Sequence, residues 1–467
     1  MTGLKGSSGS KQQRRPGSSK PASARDIPGL SARARAADLL HGVVEGGKPL
    51  DGAFEGYRTG GKFAGADRAL THAIVLTALR QMPTLDAAIN ACLDKPLHAS
   101  AAQTMAIMRV MAAQLLIMDI ADHAAVTLGV EDAARRKDTR KLKGLVNAVG
   151  RRMVREKQTL LAAPPRSNVP IWLAQRWALN FGSKRGTKIA KALMNQPAID
   201  LSLKPDADRP ALMEAMAQYD PIALPHGGIR LSKPGSIDQL SGYEQGLWWV
   251  QDFAASLPAH VLLGPLENPA AATVLDLCAA PGGKTAQMAS AGATVTALDQ
   301  SAQRMKRLGS NMERLKLSIQ SVVEDATRYV PKEKFDAVLL DAPCSATGTL
   351  RRNPDISYLR KEGDIRALAK LQTTLLNKAA TLVKPGGHLV YATCSLEPEE
   401  GEAQITRFLT NHAGWVCDPI LEGEVPKHLI AQDGTLRTLP HLSPTAEHDD
   451  GATGMDGFYI ARLIAPN

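Results

Sequence analysis

Two periodicities divide the chain. From Leu30 to about Leu161, Ala, Leu, Ile and Met recur at steps of three and four, as in ADRALTHAIVLTALRQM (66–82), TLDAAINACLD (84–94) and ASAAQTMAIMRVMAAQLLIMDI (99–120). That spacing lines one face of a helix, and no strand signal interrupts it, so residues 29–163 are expected to form an all-α bundle. Further on the pattern changes to short apolar runs bounded by Gly, Pro or Asp: TVLDL inside TVLDLCAAPGGKTAQMAS (273–290), ATVTALD (293–299), SIQSVV (318–323), FDAVLLD (335–341) and GHLVYATC (387–394). These read as parallel strands buried on both faces and joined by helices, which makes 241–467 an α/β domain. Between the two, PPRSNVP (164–170) is a Pro-punctuated linker and IWLAQRWALNFG a short amphipathic helix. Mixed short elements then predict a small α+β domain over 164–240. YEQGLWWVQDFAASLPAHVLL (243–263) reads as a strand or turn followed by a helix. Residues 1–28, rich in Ser, Gly, Pro and Lys, cannot bury a core and are expected to be a disordered basic tail.

Length agrees with this division, since 467 residues hold about three domains at roughly 100–200 residues each. No stretch reaches the ~18 apolar residues of a membrane-spanning helix, and no apolar segment follows the N-terminal charges as in a secretory signal. The five cysteines are odd in number and scattered, which fits neither a disulfide framework nor a metal-ligand spacing. A reduced, cytoplasmic protein without a metal is expected, with each cysteine judged by itself.

The net charge of +10 is uneven: residues 1–35 hold eight Lys and Arg against one acid, 36–160 hold 17 against 13, and 161–467 hold 31 against 32. A positive field confined to the N-terminal third suits a polyphosphate partner. Within it, residues 135–157 carry ten basic residues against two acids. As a helix this stretch has an apolar face (Leu145, Val146, Val149, Met153) and a basic one. Arg135, Arg136, Lys137, Arg140, Lys141 and Lys143 are therefore candidate RNA contacts, with a merely solubilising face as the alternative.

Candidate chemistry sits at the carboxyl ends of the predicted strands, where open α/β sheets hold ligands. Gly282 and Gly283 let the backbone approach a ligand closely, and the helix that follows favours an anion at its start. The turn lacks GxxxxGK[ST] spacing, so a Walker-type site is not expected despite GGKT. Asp299 ends the next strand, where an acid can accept both hydroxyls of a ribose, and Asp325 follows the third, facing an adenine edge. Gly-Gly, Asp and Asp at three successive strand ends predict an adenosine-containing ligand; helix capping is the alternative for the two acids. Asp341 closes the fourth strand ahead of ProCysSer (343–345), and ThrCysSer (393–395) closes the fifth. If those two strands are neighbours, Cys344 and Cys394 share one crevice. Arg351, Arg352 and Asn353 follow as donors suited to a nucleic-acid backbone.

LDLCAAPGGKT, LDQS, VVEDAT, LLDAPCSATGTLRRNPDI, YATCSLEPEE and MDGFYIARL, in that order, resemble the motifs of the Nol/Nop/Sun RNA (cytosine-5) methyltransferases. DRALTHAIVLTALRQMPTLDAAINACLDKPL and KGLVNAVGRRMVRE are similar to that family's NusB-type RNA-binding extension. Together, over about residues 30–467, they resemble its Sun/Fmu group of bacterial 16S (small-subunit) ribosomal RNA methyltransferases. One departure is visible: the family often has Glu-Asn-Glu where this chain has Glu400, Gly401 and Glu402.

The resemblance implies a NusB-like bundle and a Rossmann-like, seven-stranded class I methyltransferase sheet whose last strand is antiparallel. It implies S-adenosylmethionine as cofactor, 5-methylcytosine as product and 16S rRNA as partner, with the protein acting as a monomer. By the same resemblance Cys394 is the nucleophile that adds to C6 of cytosine, and Cys344 assists proton removal or product release. Asp341 holds the base edge or the methionine amine. Cys278, Ala279, Ala280, Pro281, Gly282, Gly283 and Lys284 hold the methionine end, although Cys278, like Cys92 and Cys417, reads first as structural. Two other readings stay open: an RNA-binding or ribosome-assembly factor without turnover, and a DNA cytosine-5 methyltransferase attacking from Cys344.

Overall fold

A computed structural model describes residues 27–58, 65–118, 120–232, 235–445 and 454–467; the tail expected over 1–28 thus lies almost entirely outside the described residues. The helical periodicity forms a bundle of Leu30–Val44, Ala66–Ala91, Ala102–Leu116, Asp122–Arg135 and Lys143–Arg155. The Ala66–Ala91 helix runs through Pro83. Its apolar stripe packs Ile74, Leu79, Leu85 and Ile89 against Leu40, Ile107, Met108 and Met111, all buried in one core.

The basic stretch 135–157 is not one helix. Arg135 ends a helix, 140–142 form a single 3₁₀ turn, and a new helix starts at Lys143. Val146, Val149 and Met153 of that helix are buried as the pattern requires, with Leu145 half-buried.

The small domain holds β1 (Ile199–Leu203), β2 (Ile222–Ala223), β3 (Ile229–Leu231) and β4 (Trp248–Val250) in the antiparallel order β2-β3-β1-β4. Because β4 pairs with β1, this sheet reaches past the boundary expected at 240. Trp248, fully buried, plugs its core with Leu201, Leu231 and Leu240.

The large sheet contains β5 (Thr273–Leu277), β6 (Thr294–Asp299), β7 (Gln320–Val323), β8 (Phe335–Asp341), β9 (Val383–Thr393), β10 (Val416–Cys417), β11 (Leu436–Arg437) and β12 (Tyr459–Ile464). The order is β10-β12-β9-β8-β5-β6-β7, with β5 to β9 parallel, β12 antiparallel to β9, and the two-residue β11 paired on β12. The expected seven strands are all present, and β11 is an addition. The order reverses between β5 and β8, which opens a crevice at their carboxyl ends. The β8–β9 register sets Asp341 opposite Ala392, so the loops carrying Cys344 and Cys394 leave the sheet side by side.

The bundle leans on the loop that follows Cys344. Tyr358 donates to Leu79 O (2.8 Å), Arg80 to Arg351 O (2.7 Å), and the Leu50 N–H to Asp355 Oδ2 (3.1 Å). On the other side, Leu173, Trp177 and Ile189 of helices Ile171–Phe181 and Ser183–Ala192 form one core with Leu350 and Leu396 from the two cysteine loops.

Candidate active site

Cys344 and Cys394 come together as the neighbouring strands require, with their sulfurs 3.4 Å apart. The backbone ties their loops again where the Gly348 N–H donates to Cys394 O (3.0 Å). Cys344 is buried and Cys394 half-exposed. The hydrogen bond to Cys394, then burial, then the neighbouring Cys394 and Glu400 charges push the Cys344 thiol well above its ordinary value.

Lys284, at the start of helix Gly283–Ser290, donates to Asp341 Oδ2 at 2.7 Å. Burial opposes its charge, but Asp341, with Asp276 and Cys394 further out, raises its pKa overall. The Lys284 cation thus lies within electrostatic reach of Cys394.

The turn before Lys284 folds sharply. Cys278 stands in left-handed backbone (φ 64°), and Gly282 (φ 102°) has Leu308 only 2.8 Å from where a Cβ would be. Burial, with the charges of Asp341, Asp299 and Asp276, drives the Cys278 thiol up to about 12, which favours its protonated form.

Asp299 is buried at the end of β6. It accepts from Ala280 N (3.3 Å), Ser301 N (2.9 Å) and Arg304 Nη1 (2.9 Å), so the β5 and β6 loops meet on its carboxylate. Asp325 accepts from the backbone and hydroxyl of Thr327 in a local turn (2.9 and 2.8 Å), which lowers its pKa.

A cavity of about 440 Å³ is lined by residues 279–284, Asp276, Asp341, Gln251, Asp252, Arg352 and Asp456, among others. Asp299, Asp325 and the two cysteines are not among its lining residues. Asp276 is a site residue that the sequence reading misses. It is fully buried in β5, with Oδ2 accepting from Thr285 (2.6 Å) and Oδ1 without a partner. Burial lifts its pKa to about 7. A signal for it exists in the sequence, because a lone acid inside an apolar strand is rarely there for packing. An unpaired carboxylate oxygen near a helix N-terminus suits a ligand bearing both an ammonium and a carboxylate. The methionine end of S-adenosylmethionine has that character, so the donor set fits the cofactor.

Two expectations need correcting. Arg351 is 3% exposed and faces Asp252 (3.4 Å) and Asp456 (3.7 Å). Arg352 pairs with the same two acids, Asp456 at 3.2 Å. Both guanidiniums neutralise buried carboxylates instead of facing outward, because the loop folds under the C-terminal Asp456 segment. Asn353 is exposed and donates to Thr349. In the bundle, Arg135 pairs with Glu131 and Arg136 with Asp132 and Asp38. Lys137, Arg140, Lys141 and Lys143 are exposed, without an ion-pair partner among the described residues.

Two family profiles match the chain: 16S rRNA methyltransferase RsmB/F over residues 261–464 and the NusB family over 30–155. Ribosomal RNA small subunit methyltransferase B of Vibrio cholerae is 36% identical over 453 residues, covering 93% of this chain and 97% of its own. The Cronobacter sakazakii protein of the same name is 33% identical over 449 residues, covering 93% and 99%. The chain belongs to the 16S rRNA methyltransferase RsmB/F family. As a member it is an S-adenosylmethionine-dependent transferase that makes 5-methylcytosine in small-subunit ribosomal RNA. The crystal structure of PH0851 overlays with a TM-score of 0.69 at 24% identity over 94% of this chain and 99% of that one, a likeness of fold.

Proposed function

We propose that Cys394 is the nucleophile of this RsmB/F-family enzyme, that Cys344 handles the proton and releases the product, and that Asp341 holds the cytosine edge or the methionine amine beside them. The observation that carries this reading is the 3.4 Å pair of sulfurs at adjacent parallel strand ends, with Asp341, ion-paired to Lys284, closing the strand that leads to Cys344.

Cytosine C5 is a weak nucleophile. Addition of the Cys394 thiolate to C6 makes C5 enamine-like, and the cofactor, when bound, supplies the electrophilic methyl group. Residues 278–284, Asp276, Asp299 and Asp325 would hold that cofactor. Turnover then requires loss of the C5 proton and rupture of the C6–S bond. The half-exposed Cys394 suits attack, and the buried Cys344 suits the proton. The largest influence keeping Cys344 protonated is its hydrogen bond to Cys394. Once Cys394 is bonded to the base that influence is gone, so Cys344 gives up its own proton to solvent more readily, and the resulting thiolate can take the C5 proton.

A base stacked inside a helix is out of reach, so the target cytosine is single-stranded or flipped out. Lys137, Arg140, Lys141 and Lys143 would bind phosphate on the NusB-like bundle, and Asn353 would contact the RNA near the site. The enzyme acts as a monomer in the cytoplasm. The test is methyl transfer from labelled S-adenosylmethionine to unmodified small-subunit rRNA with base-resolution mapping. One 5-methylcytosine is expected with wild type and none with Cys394→Ala; incorporation by that variant would refute the assignment.

A further inference from the structure

We propose that Glu400 is a positioning residue that sets the spacing of the two thiols. Its carboxyl group is fully buried and accepts four hydrogen bonds. Oε1 takes the Ser345 N–H (2.9 Å) and Gln372 Nε2 (3.0 Å), and Oε2 takes the hydroxyls of Ser345 and Ser395 (2.5 Å for Ser395). Ser345 directly follows Cys344, and Ser395 directly follows Cys394. One side chain thus grips the residue after each thiol, and the two hydroxyls also lie 3.1 Å apart. Gln372 donates at the same time to Pro343 O (2.9 Å), just before Cys344. Glu400 is itself fixed, since its carbonyl accepts from Tyr391 (2.7 Å) and Thr393 (3.2 Å) on β9.

The glycine at 401 belongs to the same device. A Cβ there would lie 2.6 Å from Arg437 Nη2 and 3.0 Å from the Tyr459 ring. Arg437 fills that space, donates to Ser395 O (2.7 Å) and pairs with Glu402 (2.6 Å). The loop that an amide at 401 could have held is held here by a guanidinium. Ser395 is gripped by its hydroxyl from Glu400 and by its carbonyl from Arg437, and Cys394 between Thr393 and Ser395 has little room to move. Glu400, Ser345, Ser395, Gln372 and Arg437 are not among the residues lining the cavity.

The inference rests on the roles given above to Cys394 and Cys344, and two measurements separate the ideas. Phenylarsine oxide, whose arsenic bridges two adjacent thiols, reports sulfur spacing in the full-length protein without RNA. Steady-state kinetics report turnover. Glu400→Gln is expected to weaken arsenical binding by about tenfold or more and to lower kcat by ~10²-fold, the scale of an ångström-level misplacement, with KM for RNA and cofactor unchanged. A purely structural role would lower the melting temperature without that split between kcat and KM. If Glu400→Gln does not fold, Ser345→Ala and Ser395→Ala, each removing one grip, carry the same expectation. Arsenical binding or kcat remaining at the wild-type level in the folded variants overturns the proposal. Wild-type turnover by Cys394→Ala would instead sink the underlying assignment, a result no Glu400 variant can produce.

Discussion

Replacing Cys344 by Ala should stop the enzyme after attack instead of before it. Cys344 Sγ is the group 3.4 Å from the nucleophile's sulfur, and its residue is only 8% exposed, so solvent cannot stand in for a lost thiol. A positioned acid or base contributes about 10²–10⁴-fold, equivalent to about 3–5 kcal/mol of barrier at 1.36 kcal/mol per decade. Release slowed by that factor while addition proceeds makes the covalent RNA–protein adduct the dominant species. The assay is a single-turnover reaction with labelled RNA and S-adenosylmethionine, resolved on a denaturing gel. Cys344→Ala should accumulate a stable, methylated adduct, Cys394→Ala should show neither adduct nor product, and the double variant should match Cys394→Ala. Equal, adduct-free loss in the two single variants would refute the division of labour.

Other expectations follow from charge and burial. Reversing Lys137, Arg140, Lys141 and Lys143 should weaken RNA binding and flatten its salt dependence by ~0.7–0.9 for each phosphate no longer neutralised; an unchanged slope in a salt titration would make this only a solvated face. Asp276 holds its proton to about pH 7 when folded, against an ordinary value of 3.8, so its contribution to stability falls as pH rises between those values. Asp276→Asn should remove that part of the pH dependence, about 4 kcal/mol at most, and a wild-type slope in thermal melts from pH 4 to 8 would contradict it. Arg176 pairs with Glu397 and Glu399 (2.6 Å each), and the Glu397 side chain is 0% exposed. Arg176→Met should cost about 3–5 kcal/mol at neutral pH by leaving that carboxylate uncompensated, with partial recovery at low pH as Glu397, already raised by burial, takes a proton. A loss below about 1 kcal/mol in urea unfolding would show the pair to be dispensable.

What can be read in the sequence is whatever is local. Short apolar runs mark β5 to β9 and steps of three and four mark the bundle, because burial on both faces of a strand or on one face of a helix is written in residues close together in sequence. The strand-end chemistry is legible for the same reason, since a parallel strand must leave its loop at the ligand edge. Non-local partners are not legible. Arg351 looks like an exposed donor until Asp252, 99 residues earlier, and Asp456, 105 later, claim it. Glu400 looks like part of an acidic run, and its role depends on Ser345, 55 residues away. The single long basic helix expected at 135–157 breaks at the 140–142 turn, where charge periodicity carries no signal for a chain reversal. β4 falls on the wrong side of the expected boundary because its partner β1 lies some 50 residues before it.

The assignment of Cys394 as nucleophile is tested most directly by naming the cysteine that bonds to the base. Small-subunit rRNA transcribed with 5-azacytidine traps the enzyme on its target, because the altered ring blocks release after thiol addition. Nuclease and protease digestion followed by tandem mass spectrometry then identifies the modified residue. The modification is expected on Cys394, in the peptide that continues into Ser395; its recovery on Cys344 would contradict the account.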